Sequence, residues 1–435
     1  MRRLCLFILA AVLSPGTNTF VGAAAAETGR MPWFFVQGLK IDTTSLLPVP
    51  DPLSGSNPEY PLVSTSVPDL GAPFQDPHFH TTLTRVTGGG FLRHEYSRFD
   101  PFNTDQSRIL LLNIESGFAV YKGEALPYEL ESNRVMAMLD LAEPRWDPRD
   151  PDLIWGFREF SIMTVNVQTG SATMVKNFKN DSKIGSIIAA ETDLFRIATR
   201  DEGESSCDKR YWALAFQGSD LDYALRYLFT WDRQQDQVLG LYSISAEERE
   251  IDWVGMSCLG GFVLIGGDPL NGGNLTGLTM ANRELDRFHR LDYGTAHSDV
   301  ALDADGKEVI VMQNVRTDYV DLIPIDWTTL PILNAGENCE GTNRTPLIRL
   351  YYASDNPDSF GSGIHISCNT PGYCVISTYI GPGEPERNWL DRTNVLVELN
   401  RNDPNVFYLS KVHNTTQEYW EETHATITND GSKVL

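Results

Sequence analysis

An all-β fold, a seven-bladed β-propeller behind an irregular N-terminal arm, is what this 435-residue sequence predicts. Two observations carry it. Apolar runs are short, rich in β-branched and aromatic residues, and bounded by Asp, Asn, Gly and Pro, with no long amphipathic helix among them. One pattern also recurs seven times: a polar stretch, a turn, then a strand that reads as buried, at the 45 to 70 residue spacing expected of propeller blades.

The repeats fall in order along the chain. The first has Asp100-Pro101-Phe102-Asn103 before residues 109–112, and the second has Trp146-Asp147-Pro148-Arg149 before residues 153–157. The third and fourth place Ser205-Ser206-Cys207-Asp208 before 211–216 and Ser257-Cys258-Leu259-Gly260 before 262–265. The last three run from His297 to Gly306, from His365 to Gly372 and from His424 to Gly431, each ahead of another apolar strand. Second hairpins between repeats, such as residues 229–232 with 239–243, give each blade four antiparallel strands. The seventh repeat reaches only Leu435, so strands from residues 79–86 are needed to complete a ring.

Ahead of the repeats, residues 1–26 have the parts of a secretory signal: Arg2 and Arg3, an apolar run from Leu4 to Leu13, and a small-residue exit. That run is far short of the roughly 20 residues that span a bilayer. The expectation is a secreted or periplasmic protein with no membrane insertion. Residues 27–77 read as a proline-rich arm and residues 78–435 as the propeller.

Composition excludes some functions. A net charge of −23, which becomes −25 when Arg2 and Arg3 leave, repels nucleic acid and anionic membranes. Hydrophobics at 41% are ample for a core and exclude a disordered acidic tail. Six cysteines, five after signal removal, leave at least one without an intramolecular partner. Cys368 and Cys374 flank a hairpin turn and are the expected disulfide; no CxxC or His-spaced zinc pattern is present.

The placement of the eight histidines is the most informative feature. His365 and His424 each stand seven residues before a turn glycine, and His297 stands nine before Gly306, an offset of two that keeps the same strand face. The opening strand of each blade is innermost, so three imidazoles should converge at one mouth of the central channel. Imidazole clusters serve as metal ligands and as acid-base groups. The same register puts Arg145 and Glu202 at matching positions of the second and third repeats. A second group, His78, His80, then Arg93 to Arg98, places His94, Tyr96 and Arg98 on one strand face: a base, a proton donor and a charge clamp. Trp420 and Trp389 are candidate sugar platforms.

The segments HEYSRFDPFNTDQSRILLLN, EPRWDPRDPDLIW, HSDVALDADGKEV and ETHATITNDGSKVL resemble blade motifs of secreted bacterial propellers related to polysaccharide lyases, the oligogalacturonate lyases and propeller-type ulvan lyases. In oligogalacturonate lyases, channel-mouth histidines hold a divalent metal that binds the substrate carboxylate. By position, His297, His365 and His424 match them, with manganese, calcium or zinc as the ion. Thr426 stands where that family carries a further ligand histidine. The resulting expectation is β-elimination on an acidic saccharide, with His94 as base or proton relay, Tyr96 as donor to the leaving oxygen, Arg145 as carboxylate clamp and the three channel histidines as metal or substrate ligands. His80, Arg98, Glu202 and Trp420 are the expected substrate contacts. A non-catalytic propeller that binds a ligand or protein at the same mouth is the alternative.

Overall fold

The computed structural model describes residues 9–12, 41–53, 66–88, 92–219, 223–314, 319–334, 343–350, 363–381, 389–414 and 419–435. It is an all-β propeller whose one α-helix, among the described residues, is the six-residue Gly185–Ala190. Six blades stand where seven were expected. The first blade comprises Leu92–Arg93, Arg108–Asn113, Gly117–Lys122 and Arg134–Met136. The second to fifth open on Ala142–Trp146, Leu194–Ala198, Ile251–Met256 and Ser298–Leu302, each strand pairing antiparallel with the next in sequence. The sixth opens on Ile364–Ser367, and Leu47–Pro48 from the arm is added outside its last strand, Val406–Lys411.

The seventh repeat does not build a blade from its own hairpins. It supplies the bridge between Ile427 and Val434 and the two-residue strand Lys433–Val434. The rest of that sheet comes from Leu9–Val12, Thr82–Arg85 and Pro73–Gln75. Leu9–Val12 lies inside the segment expected to leave as an export signal.

Hydrophobic burial between sheets closes the ring. One core layer joins Trp155 and Ile162 of the second blade to Leu214 and Phe229 of the third. Equivalent layers join each later pair, down to Val375 and Leu396 of the sixth blade against Ile427 and Val434. Val86 and Leu435 then pack on Leu92 and Ile109 of the first blade. Each blade is covered on both faces, so its strands read as nearly continuous apolar runs rather than as an alternation. Tyr211–Gly218, with seven of its eight residues buried, is an example.

Turns after the opening strands use glycine where the backbone requires it: Gly306, Gly372 and Gly431 have φ of 75°, 80° and 72°. Cys368 and Cys374 form a disulfide across one such turn, with Cα atoms 4.2 Å apart. A second disulfide joins Cys207 and Cys258, the turns of the third and fourth blades, with Cα atoms 4.8 Å apart. Cys339 lies outside the described residues.

Candidate functional site

At one end of the channel the opening strands of the fifth, sixth and seventh repeats bring His297, His365 and His424 together. Ring centroids are 4.4 Å apart for His297 and His365 and 3.8 Å for His365 and His424. Tyr96 completes the group, its ring 5.5 Å from His365 and 5.4 Å from His424 and its hydroxyl 3.1 Å from His297 Nδ1.

The backbone fixes the tautomers of two of these rings. The carbonyl of Thr423 accepts from His365 Nδ1 at 2.9 Å, and the carbonyl of Glu422 accepts from His424 Nδ1 at 2.9 Å. A carbonyl only accepts, so both Nδ1 atoms carry the proton and both Nε2 atoms present lone pairs. These Nε2 atoms are buried and have no hydrogen-bond partner among the described residues. A Glu422 carboxylate oxygen lies 3.8 Å from His365 Nε2. Ligand atoms of His365, Glu422 and His424 fall within 4.8 Å of one another, the one such set among the described residues.

Burial governs the electrostatics of this mouth. It holds His365 and His424 well below the usual imidazole range, and neighbouring charges add to it: His424 for His365, Arg93 for His424. His297 is depressed to about 4 by burial and the Arg98 charge. Burial raises Tyr96 and keeps it a phenol, and raises Glu422 as well. Behind Glu422, Tyr379 hydrogen-bonds its carboxyl and stacks on His365 with centroids 5.6 Å apart. Gly363 leaves room for that phenol: a Cβ there would meet the Tyr379 hydroxyl at 2.0 Å.

Of the other expected residues, His94 stays at this mouth, next to Tyr96 and His424, and the rest are scattered. His94 is buried beside Arg93, whose guanidinium donates to the backbone carbonyls of His94 and Glu95. Burial first, and then the Arg93 charge, depress His94 to about 3. Arg98 lies deeper in the channel, over Trp253 and ion-paired with Glu202 at 3.0 Å. Arg145 is not beside the histidines. It pairs with Glu95, lies over Phe99 and lines the opposite end of the channel. Its repeat turns on Asp147-Pro148 with no glycine, and Arg145 stands two residues before the turn bond of Asp147, whereas His424 stands four before that of Thr428. Two residues of strand displace a side chain by about 7 Å along the axis.

His80 is exposed on the turn between Pro73–Gln75 and Thr82–Arg85, away from the axis. Trp389 is core, edge-on to Tyr408. The Trp420 side chain lies outside the described residues.

The chain is similar in structure to oligogalacturonate lyase. The solved oligogalacturonate lyase from Vibrio parahaemolyticus matches 84% of this chain and 92% of its own length, with 10% sequence identity and a TM-score of 0.48. TolB from Acinetobacter baumannii matches 75% of this chain and 66% of its own length, with 13% identity and a TM-score of 0.35. No family model and no curated protein matches the sequence. Glu422, the residue that joins the histidines, went unread in the sequence. Its signal was there: Glu422-Thr423-His424 puts a carboxylate and an imidazole on one face of an extended chain.

Proposed function

We propose that the histidine mouth is a divalent-metal centre that binds an acidic saccharide and that the protein cleaves this substrate by β-elimination outside the cytoplasm. The observation that carries this reading is the pair of buried Nε2 lone pairs of His365 and His424, each with its Nδ1 proton held by a backbone carbonyl, in a cluster with Glu422, whose carboxylate lies 3.8 Å from His365 Nε2. That is the donor set and outer-shell arrangement of a histidine-carboxylate metal site. His365, His424 and Glu422 would hold the ion. His297, expected as a third ligand, stands outside this set and is reassigned to proton transfer. Bound there, the ion would neutralise a uronate carboxylate and so acidify the adjacent C–H.

The remaining steps belong to the protein's own groups. With Nδ1–H of His297 donating to the Tyr96 oxygen, 3.1 Å away, His297 Nε2 is a neutral base. Tyr96, kept protonated by burial, gives its proton to the departing oxygen, and the imidazolium returns one to the phenolate. Arg93 supplies positive charge beside Glu422 and His424 and takes the clamp role first expected of Arg145. His94, buried against Arg93, acts through its neighbours rather than on substrate. The signal-like pattern of residues 1–26 supports the extracytoplasmic setting.

The test is incubation with a panel of uronate polysaccharides while the ultraviolet absorbance of the conjugated product is followed. We expect turnover with at least one of them, removed by chelation, restored by metal, and reduced about 100-fold or more in Tyr96→Phe. Saccharide binding without any unsaturated product would replace the lyase by a binding propeller.

A further inference from the structure

The opposite end of the channel carries chemistry that the histidine mouth does not use. A chamber of about 540 Å³ opens there among the turns that follow the opening strands, and none of the histidines lines it. Lys209 does. It is only 7% exposed, and among the described residues its ammonium has neither a hydrogen bond nor an ion pair, its one partner being the ring of Trp212 at 5.9 Å. An ammonium buried without a direct ion pair is costly. Glu204, Asp147 and Asp208 lie near enough to favour its charge without pairing with it, and a ligand carboxylate would supply the direct contact.

The position of this lysine is fixed. Its backbone N–H donates to the Ser206 carbonyl at 2.8 Å, and its own carbonyl accepts from Trp212 Nε1 at 3.0 Å and Arg233 Nε at 2.8 Å. The Cys207–Cys258 disulfide ties the same turn to the next blade, and both cysteines line the chamber. Across from it, Arg145 faces the same space; its guanidinium is ion-paired with Glu95 through Nη1, while its Nε has no hydrogen-bond partner among the described residues and lies 3.9 Å from a Glu204 carboxylate oxygen. The two cations lie close enough for the Arg145 charge to oppose protonation of Lys209.

We propose that this chamber is a second ligand site, which takes a small carboxylate with a ring or other apolar body and seats its anionic end on Lys209 and Arg145. Two observations select that chemistry. The walls include Phe102, Trp146, Met256 and Leu302, which suit an apolar body, and the volume is that of a small-molecule site. Glu202, Glu204 and Asp299 also line the chamber, so a doubly charged phosphate meets more repulsion than a single carboxylate does. The site is independent of the histidine mouth, and it stands whether or not that mouth is catalytic.

The experiment is calorimetric titration of the full chain with benzoate, cyclohexanecarboxylate and inorganic phosphate. The expected result is binding of the two carboxylates, tighter than phosphate, weakened about tenfold or more in Lys209→Met and in Lys209→Gln and unchanged in His365→Ala. Both lysine variants should melt no lower than the parent, because each removes a buried ammonium that makes no direct ion pair. Preference for phosphate, carboxylate binding that both variants keep, absence of carboxylate binding to the parent, or lysine variants that melt well below it would each overturn the proposal.

Discussion

Asp100 joins the first blade to the seventh repeat by accepting from the backbone N–H groups of Phe102 at 2.9 Å and Asn429 at 2.7 Å, and burial raises its carboxyl to about 7. Between about pH 4 and pH 7 the folded protein therefore keeps a proton that the unfolded chain has released. Stability from this group falls as pH rises through that window. Glu95, raised to about 7 chiefly by burial, acts in the same direction. Burial of His94, His297, His365 and His424 acts in the opposite direction up to about the free imidazole value, so the test is a comparison: between pH 5.5 and pH 8 the melting temperature of Asp100→Asn should fall less, or rise more, than that of the parent. The same pH dependence in parent and variant would contradict the burial argument for Asp100. At this scale the sequence was legible where a turn glycine anchored the count. Gly306, Gly372 and Gly431 marked comparable levels of three strands, so the histidines could be placed together from spacing alone. Arg145, with no such anchor, was placed at the wrong end of the channel.

Opening strands and their turns are the elements on which both candidate sites are built. The turn of the third blade is held to that of the fourth by Cys207–Cys258, and Cys207 N–H also donates to the Cys258 carbonyl at 2.8 Å. With the two cysteines 51 positions apart, loop-closure entropy gives the bond about 4 kcal/mol at most. Replacing both cysteines by serine should lower unfolding stability by about 2 to 4 kcal/mol in chemical denaturation. A loss below about 0.5 kcal/mol would show that the turns are held by backbone bonding alone. Sequence reading found the short-range pair Cys368 and Cys374, because a six-residue hairpin brings its ends together locally. It did not find Cys207 with Cys258, since their proximity is created by the packing of two blades. The blade count erred for a similar reason. Seven turn-plus-strand signals are present, but a signal counts an opening strand, and the seventh repeat takes the other strands of its sheet from residues far earlier in the chain.

The whole molecule is a ring whose two candidate sites lie on its axis. Seven apolar layers between sheets leave the axial ends of the opening strands as the places where imidazole, carboxyl, guanidinium and ammonium groups meet. Despite a net charge of −23, Arg93 stands at the histidine mouth and Arg98, Arg145 and Lys209 stand along the channel. Ring architecture was legible from the recurrence of one pattern. The division of the channel into two ends with different chemistry was not, because it depends on the level each side chain occupies along the axis, which repeat spacing fixes only to within a residue or two. The central claim is that His365, His424 and Glu422 form a metal centre, and calorimetric titration of the metal-stripped protein with manganese tests it most directly. One ion per chain should bind the parent, with affinity lost in the His365→Ala, His424→Ala double variant and weakened about tenfold or more in Glu422→Gln, each variant being folded at the temperature of the titration by circular dichroism. No binding to the parent, or binding that survives the double variant, would contradict it.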